Sequence, residues 1–514
     1  MKNAKRIAAL ILCAVMVFSM FGCKKEEPEE GPVKKPQAEG IDEIGYTLPY
    51  LRSDSLNPFL AKEEINKSIT TLLYDSLFSV GNDFKASPLM AESYTAKDDK
   101  INVKLKALKF TDGTAVTAED VVYSFVLAKN CSTYSTYLSN LGDCSADGTG
   151  AVVFTLNEMN PYEAANLFFP VIKKGTDVDE NSSDAYSAVI PTGSGRYTIK
   201  DDGEGKVLVY NRDRLGGYQP VYNKIGLKDV TESASLANIY TLGQIDYYND
   251  NLSKGEFDRY SGTAAKKNMS NFVFLGVNCG ESVLADAKVR RAIALLIDRE
   301  DLAKVSYSGF ATATSTPFDA GFYGLKDCTL PTLNVDKNAA VELLEEAGFD
   351  RVSSSGTRYG EKGDLRFRLV VNFENKFRLA MARSIQQSLA KADITVDISE
   401  MSYDSYISTI GNGGYELYVG EALLSNSFDL SRFFDEGGRL SFGVRDDSKS
   451  GEKYNALERD EIGMQEFLDT FADELPFIPL SYRKSLAVHS NKIKCETKMI
   501  TSDYFFNIDE WTTM

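Results

Sequence analysis

Apolar residues follow one rhythm in the first half of the chain and another in the second. Short alternating runs dominate the first half, and in INVKLKALKF at 101–110 nearly every second residue is apolar. A period of two is typical of a half-buried strand. Further strands are predicted at 44–51 and 151–158, and a pair joined by a Gly-rich turn at 191–212. One helix, predicted at 66–80, interrupts this series.

From about residue 271 the apolar positions alternate between strand-like runs and runs with a helical period. The predicted elements are strands at 271–278, 366–373, 394–401 and 415–420, helices at 285–300, 336–349 and 377–392, and an extended segment at 475–493. Asp336 is the expected N-cap of the second helix, and Gly348 is expected to end it. The order strand–helix–strand at this spacing predicts parallel βαβ units.

The stretch LKFTDGTAVTAEDVVYSF at 108–125 places three carboxylates close together, which raises the question of an acid/base site. Asp112 and the glycine after it are a turn signal at the end of a strand. Thr117 then starts a capping-box pattern, and Glu119 and Asp120 fall in the first helical turn, where the helix dipole favours negative charge. Each carboxylate therefore has a structural role, and we interpret the stretch as strand, turn and capped helix.

The N-terminus has the composition of an export signal. Three basic residues in MKNAKR precede a short apolar run that ends before Cys23. The run is too short for a comfortable membrane span, so residues 1–22 are predicted to be a signal peptide. The charged segment KKEEPEEGPVKKPQAEG, within 23–41, is predicted to be a disordered tether. The alternative to a special role for Cys23 is an ordinary signal peptide or an uncleaved anchor, in which this cysteine is incidental.

Charge and histidine content exclude several classes of function. The net charge of −17 argues against nucleic-acid binding, because nothing would offset phosphate repulsion. His489 is the single histidine, so a multi-histidine metal site is impossible and a histidine triad would have to use this residue. Cys131 and Cys144 are close enough in sequence to pair outside the cell, and buried thiols are the alternative.

Several motifs appear in an order that resembles a known family. They are LNPF at 56–59, LLYDSLF at 72–78, PLMAESY at 88–94, the 108–125 block, GSGRYTI at 193–199, LGQIDYY at 242–248, VRRAIALLIDRE at 289–300 and PFIPLSYR at 476–483. Together they resemble the extracellular solute-binding proteins of ABC importers, family 5, the oligopeptide/dipeptide/nickel-binding group. Separately, Gly22 directly before Cys23 resembles the lipobox of bacterial lipoproteins, which implies that Cys23 is lipidated and becomes the mature N-terminus.

The resemblance implies a three-lobed α/β fold of the periplasmic-binding-protein type, class II, cluster C, in which two lobes close on a ligand cleft. The implied ranges are 42–66, 187–265 and 487–514 for lobe I, 67–186 for lobe II and 266–486 for lobe III. The family mechanism is closure around a solute, which favours the closed state by the extra contacts it makes there. No cofactor and no second copy of the chain is required, so we expect a monomer.

The resemblance also indicates where a peptide would bind. Peptide binders of the family carry Gly-Trp followed by an acid that pairs with the peptide amine. In this chain Gly420 matches the glycine, and Glu421 stands where Trp is usual. Leu424 occupies the position of the acid in an alignment without gaps, and Asp429 matches that position only if a gap is allowed. We expect Glu421 or Asp429 to bind an ammonium group, with exposed loop positions as the alternative.

Three further candidate residues end predicted strands of the α/β half: Asn278, Asn372 and Tyr418. Ligands of open α/β sheets bind at the carboxyl ends of the strands, which makes these residues candidate ligand contacts. His489, near the tail, is expected to be a strand residue of lobe I rather than a nickel ligand.

The function that fits these observations is a lipid-anchored, extracytoplasmic substrate-binding protein. It would capture short peptides and deliver them to a membrane permease. A lipid-anchored hydrolase is the alternative from another class, although neither GxSxG nor HExxH occurs. A ligand sensor with the same fold is the third reading, which the sequence does not separate from the first.

Overall fold

Short strands make up the first half of the protein, and longer strands alternate with helices in the second. The computed structural model describes residues 40–176, 190–203, 205–214, 219–255, 260, 262–280 and 283–513. Its strands are β1 (Ile41–Leu51), β2 (Phe78–Val80), β3 (Ala86–Pro88), β4 (Ala91–Lys97), β5 (Lys100–Leu105), β6 (Leu141–Ala146), β7 (Ala151–Leu156), β8 (Tyr197–Asp201), β9 (Lys206–Tyr210), β10 (Tyr222–Val230), β11 (Tyr247–Asp250), β12 (Thr263–Val277), β13 (Ala311–Ala313), β14 (Arg351–Val352), β15 (Arg358–Gly360), β16 (Gly363–Asp364), β17 (Arg366–Asn372), β18 (Thr395–Met401), β19 (Leu417–Leu423) and β20 (Phe477–His489). Its α-helices are α1 (Glu64–Leu73), α2 (Ala118–Asn130), α3 (Leu236–Thr241), α4 (Ala287–Leu296), α5 (Arg299–Ser306), α6 (Lys337–Glu346), α7 (Lys376–Ala390), α8 (Tyr403–Gly411), α9 (Ser431–Phe434), α10 (Lys449–Glu458) and α11 (Met464–Glu474).

The 108–125 stretch folds as predicted, and Asp120 and Asp112 have structural partners. The side chain of Thr117 accepts a hydrogen bond from the Asp120 N–H, and Asp120 accepts one from the Thr117 N–H at 2.8 Å, which completes a capping box for α2. The second oxygen of Asp120 accepts from the main chain of Lys174 at 2.7 Å. Asp112 pairs with Lys173 at 2.6 Å at the surface. The structure therefore gives each of these groups a structural role.

The second half is built on one mixed sheet. Its strand order is β11-β20-β12-β19-β17-β18, with β13 also paired to β20. Strands β17 and β18 are parallel and are joined through α7, so the predicted βαβ unit is confirmed. The N-cap predicted for α6 is also confirmed, because Asp336 accepts from the Ala339 N–H at 3.0 Å. Gly348 follows the helix with a φ of 93°, the left-handed conformation that glycine adopts without strain.

Two predicted helices are corrected by the structure. The helix expected at 66–80 ends at Leu73, and Phe78–Val80 is strand β2, because the apolar run there is buried in a sheet. The helix expected at 285–300 is two helices, α4 and α5. The break comes at Asp298, whose side chain accepts from the Asp301 N–H and so caps a new helix. The predictions for Cys23 and for residues 1–39 lie outside the described residues.

Two hydrophobic cores divide the described chain. Core A lies on the mixed sheet and its helices, with Phe272, Phe274 and Phe477 near its centre. Core B contains the smaller sheets of the first half and the C-terminal tail, including Trp511. Strands β12 and β20 pair along almost their whole length. Most of their apolar residues lie in core A, and Ala265 and Ala487 also bring the pair into contact with core B. The lobe boundaries given by the sequence remain predictions, since core B runs through the ranges of both lobe I and lobe II.

Candidate functional site

The two cores meet through a small polar contact that we call the bridge: Glu163 and Asn166 beside core B, Asn426 and Ser427 beside core A. Asn166 donates to Ser427 Oγ at 2.9 Å and accepts from the Asn426 N–H at 2.8 Å. Ser427 donates to Glu163 at 3.0 Å. All four side chains are at least 97% buried. A buried contact made by hydrogen bonds between side chains depends on a close match of positions, so the bridge holds the two parts in one relative placement.

Burial changes the acidity of the bridge carboxylate. Removal from water raises the pKa of Glu163 to about 7, although Asn166, Asn140 and Ser427 all donate hydrogen bonds that favour the ionised form. Asp429, on the same side as Ser427, raises it further. Since none of the described residues that act on Glu163 is a cation, the desolvation effect prevails.

Strand β19 leads to the bridge, and β17 pairs with only the start of its outer edge. Further along that edge the Tyr406 hydroxyl donates to the Val419 carbonyl and Arg432 donates to the Leu423 carbonyl. Strand β19 pairs with β12 from Leu417 to Leu423 but with β17 only at Leu417 and Tyr418. Even-numbered residues of β19 direct their peptide groups to β12, as the bond from the Leu424 N–H to the Ser270 carbonyl shows. Odd-numbered residues therefore face the other side, where β17 pairs only with Leu417 and Tyr418. The peptide groups of Glu421 lie on this uncovered part of the edge, since no hydrogen bond to them is made by the described residues.

The side chain of Glu421 is held in an ion triad with Arg378 of α7 and Arg483 of β20. Arg483 Nε lies 2.7 Å from one carboxylate oxygen and Arg378 Nη2 lies 3.2 Å from the other. Asn271 donates a third hydrogen bond at 3.1 Å. Burial by itself raises the pKa of Glu421, but Arg483 and Arg378 outweigh it and lower the pKa to about 2. The carboxylate is therefore ionised throughout the physiological range.

Several polar atoms of this region are unsatisfied. Within the described residues, Arg378 Nε, Arg483 Nη1, Tyr307 Oη and Asn271 Oδ1 are buried and have no hydrogen-bond partner. Buried polar groups in proteins are nearly always paired, so such a cluster calls for an explanation. Its position beside the uncovered edge of β19 suggests a site that a bound molecule completes.

A cavity of about 230 Å³ adjoins the bridge. Its aromatic walls are Tyr162, Phe318, Phe428 and Tyr454, and Glu458 contributes a carboxylate. Burial raises the pKa of Glu458 to about 7, and the neighbouring Asp429 adds to the effect. The cavity thus offers a largely apolar space beside the bridge that is large enough for a side chain.

The residues predicted as ligand contacts fall into two groups. Glu421 and Asp429 lie in the region just described, whereas Asn278, Asn372 and Tyr418 have local structural partners. The amide of Asn278 donates to the Tyr415 carbonyl, Asn372 accepts from the Glu374 N–H, and Tyr418 is buried against Gly276. Ligand contact by any of the five remains a prediction.

The structure changes two details of the prediction that Glu421 or Asp429 binds an ammonium group. The partners of the Glu421 carboxylate are guanidinium groups of the protein itself, not a free position for an ammonium. Asp429 accepts from the Ser431 N–H at 2.8 Å and from the Tyr454 hydroxyl at 3.1 Å, so its carboxylate also has local donors. Neither residue is an exposed loop position of the kind that the alternative expected.

The sequence reading missed most of the residues that build this site. Arg378 carried a signal, because a basic residue in the first turn of a helix opposes the dipole. Arg483 carried another, a charge inside the apolar run of β20 that implies a buried partner. Glu163 and Asn166, in NPYEAAN, carried none, since nothing in the local pattern indicates a contact with residues 260 positions away.

Comparison with known proteins identifies the family to which the chain belongs. A family model described as bacterial extracellular solute-binding proteins, family 5, middle part, matches residues 85–437. The oligopeptide-binding protein AppA of Bacillus subtilis is 24% identical over 462 residues, which cover 84% of this chain and 82% of AppA. The glutathione-binding protein GsiB of Salmonella choleraesuis is 22% identical, with 85% and 89% covered.

Solved structures agree on the fold. The crystal structure of a nickel ABC transporter protein from Bacillus halodurans superposes with a TM-score of 0.71 at 18% identity, covering 92% of this chain and all of the other. At this identity the likeness establishes the fold, an α/β binding-protein fold of the class II type. The fold class expected from the sequence is confirmed.

Proposed function

Because the chain belongs to the bacterial extracellular solute-binding proteins of family 5, we propose that it captures short peptides between cores A and B and delivers them to the permease of an ABC importer. The observation that carries the choice of peptide is the uncovered edge of β19 at Glu421. An extended peptide adds to such an edge as a further strand, because its main chain supplies the matching donors and acceptors. Main-chain recognition tolerates many side chains, as a peptide importer requires.

The names of the relatives leave the class of solute open. AppA is named for oligopeptides, GsiB for glutathione, and the superposed structure for nickel. The strand edge favours a ligand with peptide groups over a bare metal ion. The aromatic cavity beside the bridge supports this choice, since it suits a side chain of the bound peptide.

Closure is the mechanism that we propose for capture. Strands β12 and β20 connect the two cores and would act as the hinge, while the bridge between Asn166 and Ser427 would form only in the closed state. A ligand shifts the protein toward closure by the contacts that it makes only there. The three lobes stay part of the proposal: core A would lie mainly in lobe III and extend into lobe I through residues such as Val230 and Tyr248, and core B would be shared by lobes I and II.

The attachment to the membrane is a further part of the proposal. Cys23 would carry the lipid, and residues 24–41 would tether the binding domain outside the cell. None of the helices in the described part of the chain combines the length and apolar character needed to cross a membrane. Labelling of growing cells with a fatty-acid analogue tests the anchor: label on the wild type and none on Cys23→Ser is expected, and equal labelling contradicts it.

The first experiment is mass spectrometry of the molecules that co-purify with residues 24–514, produced without the signal and Cys23, after release by denaturation. A series of short peptides is the expected result. A single species without peptide bonds would keep the family role and contradict the choice of peptide. Incubation with the recovered peptides tests the two alternative functions. Turnover of the peptides would indicate a hydrolase. Stoichiometric binding without import of the peptide by an ABC permease would indicate a sensor.

A further inference from the structure

One residue of the β2–β3 hairpin packs in the core opposite to that of the hairpin itself. Val80 and Ala86, on either side of the connecting turn, belong to core B. Phe84, at the end of the turn, belongs to core A and is completely buried. Burial of a phenylalanine side chain is among the larger single contributions to packing, so Phe84 ties the hairpin to the other part of the molecule.

Phe84 contacts a group of rings that we call the aromatic socket. The socket is Phe428 together with the rings that Phe428 contacts: Phe318, Phe322 and Tyr482. The Phe84 and Phe428 rings meet edge to face, with their centroids 4.8 Å apart. Phe428 directly follows Ser427, so this apolar contact continues the polar bridge between the two cores.

The contact joins two residues with strained backbones. Phe84 has the left-handed conformation, with a φ of 61°. Its N–H donates to the Gly81 carbonyl at 3.0 Å, and the Gly81 N–H donates to the Lys85 carbonyl at 3.1 Å, so Phe84 ends a tight turn between the strands. Glycine is the usual residue for this conformation in a hairpin loop. Phe428 has a φ of 57°, and the meeting of two such phenylalanines across the cores indicates a functional reason rather than a local preference.

The turn that carries Phe84 also makes polar contacts outside core B. The Asp83 carbonyl accepts from the Tyr323 N–H at 3.0 Å, next to core A. The Asn82 carbonyl accepts from the side chain of Asn268 at 3.0 Å, and Asn268 belongs to β12. Since β12 is one of the two strands of the proposed hinge, the placement of the turn against core A depends on the hinge angle.

We propose that Phe84 is a closure latch, which enters the aromatic socket when cores A and B close and leaves it when they open. Phe84 is thus a positioning residue, because it contacts the other core and not the solute. The strain at Phe84 and Phe428 offsets part of the gain from their contact, so the latch by itself does not keep the empty protein closed. The contacts of the bound solute then decide the balance between open and closed protein. The inference rests on the closure step of the proposed function and is independent of the kind of solute.

Two truncations of equal size in the same hairpin test the latch. Phe78, in β2, is also completely buried but packs in core B, so Phe78→Ala is the matched control. A permanent core residue stabilises the empty protein, whereas a latch that is released on opening does not. In urea denaturation of residues 24–514 freed of bound molecules, Phe84→Ala should therefore keep the wild-type midpoint. Phe78→Ala should lower the midpoint by about 1 M.

Binding should place the two variants in the opposite order. The probe is a mixture of tetrapeptides of randomised sequence, and the amount bound at increasing concentration is measured by mass spectrometry. Phe84→Ala removes a buried ring from the closed state alone, so its binding should be about 100-fold weaker than that of the wild type. Phe78→Ala should bind as the wild type does, because the packing around Phe78 is the same in the open and the closed protein.

A lower midpoint for Phe84→Ala would make Phe84 an ordinary core residue, and an unchanged affinity would show that closure does not need its contact. Either result would overturn the latch. If the wild type binds none of the tetrapeptides, the peptide function is overturned, and the denaturation midpoints alone decide whether Phe84 is a latch.

Discussion

Glu421 and Glu163 are both removed from solvent near the meeting of the two cores, yet their acidities move in opposite directions. The pKa of Glu421 is lowered to about 2, and that of Glu163 is raised to about 7. Burial raises both. The difference lies in the partners, because Glu421 has two guanidinium groups and Glu163 has only neutral donors.

Glu421 thus carries a fixed negative charge, whereas Glu163 titrates. The triad around Glu421 keeps its charges at every physiological pH, which suits a site that recognises a charged group. The bridge around Glu163 gains and loses a proton near neutral pH, so the contact between the cores responds to acidity. Electrostatic partners, and not burial alone, decide which behaviour a buried carboxylate has.

The largest effect is expected from breaking the triad. Glu421→Gln leaves two buried guanidinium groups facing each other, and the loss of one partner from a buried ion pair typically costs about 3–5 kcal/mol. Urea denaturation of the ligand-free protein should show this loss in the free energy of unfolding. Asp397→Asn, in the exposed pair with Arg366, is the control and should cost less than about 1 kcal/mol. Equal losses in both variants would show that the triad is not a special feature.

The pH response of closure comes next in size. If opening breaks the bridge, as proposed, we expect water to reach Glu163 and return its pKa toward the ordinary 4.5, whereas in the present structure burial raises the pKa to about 7. Between these values the closed form binds the extra proton, so closure weakens as pH rises from about 4.5 to about 7 and then stays constant. Ligand affinity measured by calorimetry should fall over this range, by at most about 300-fold for a shift of about 2.5 pH units.

Glu163→Gln isolates that response. Its amide cannot titrate, so the affinity profile should become nearly flat. Glu458, whose pKa is also about 7, titrates over the same range, and Glu458→Gln removes only its own share. A wild-type slope that persists in Glu163→Gln would assign the response to another group.

The fold was more predictable from the sequence than the site was. The capping box at Thr117 and the βαβ unit around α7 follow from local patterns of period and polarity, which a single sequence displays. The sequence prediction began β12 at residue 271 and missed most of its N-terminal half, TAAKKNMS. Polar residues are frequent in this segment, so it lacks the apolar pattern by which a strand is recognised. The triad joins residues 43 and 62 positions apart, and local spacing holds no information on such pairs.

A smaller effect should follow from removing the neutral part of the bridge. Asn166→Ala deletes the bonds to Ser427 and to the Asn426 N–H, which costs about 1–2 kcal/mol in the closed state and about tenfold in ligand affinity. Asn157→Ala, an exposed amide in the same part of the chain that bonds only to the Ser139 carbonyl, is the control. If the two variants lose affinity equally, the bridge is not a closure contact.

The smallest effect is expected at Asp112, which shares a low pKa with Glu421 but not its surroundings. The bond from Lys173, and those from Thr114, lower the pKa of Asp112 to about 2. The Asp112 and Lys173 side chains are 36% and 38% exposed, so water and salt screen their attraction. Asp112→Asn should therefore reduce the free energy of unfolding by about 0.2–1 kcal/mol, and less in 1 M salt than in dilute buffer. Glu421→Gln should lose its larger amount at both salt concentrations, because buried charges are poorly screened. Equal salt sensitivity in the two variants would mean that the triad is open to solvent, and the contrast between a fixed buried charge and a surface pair would fail.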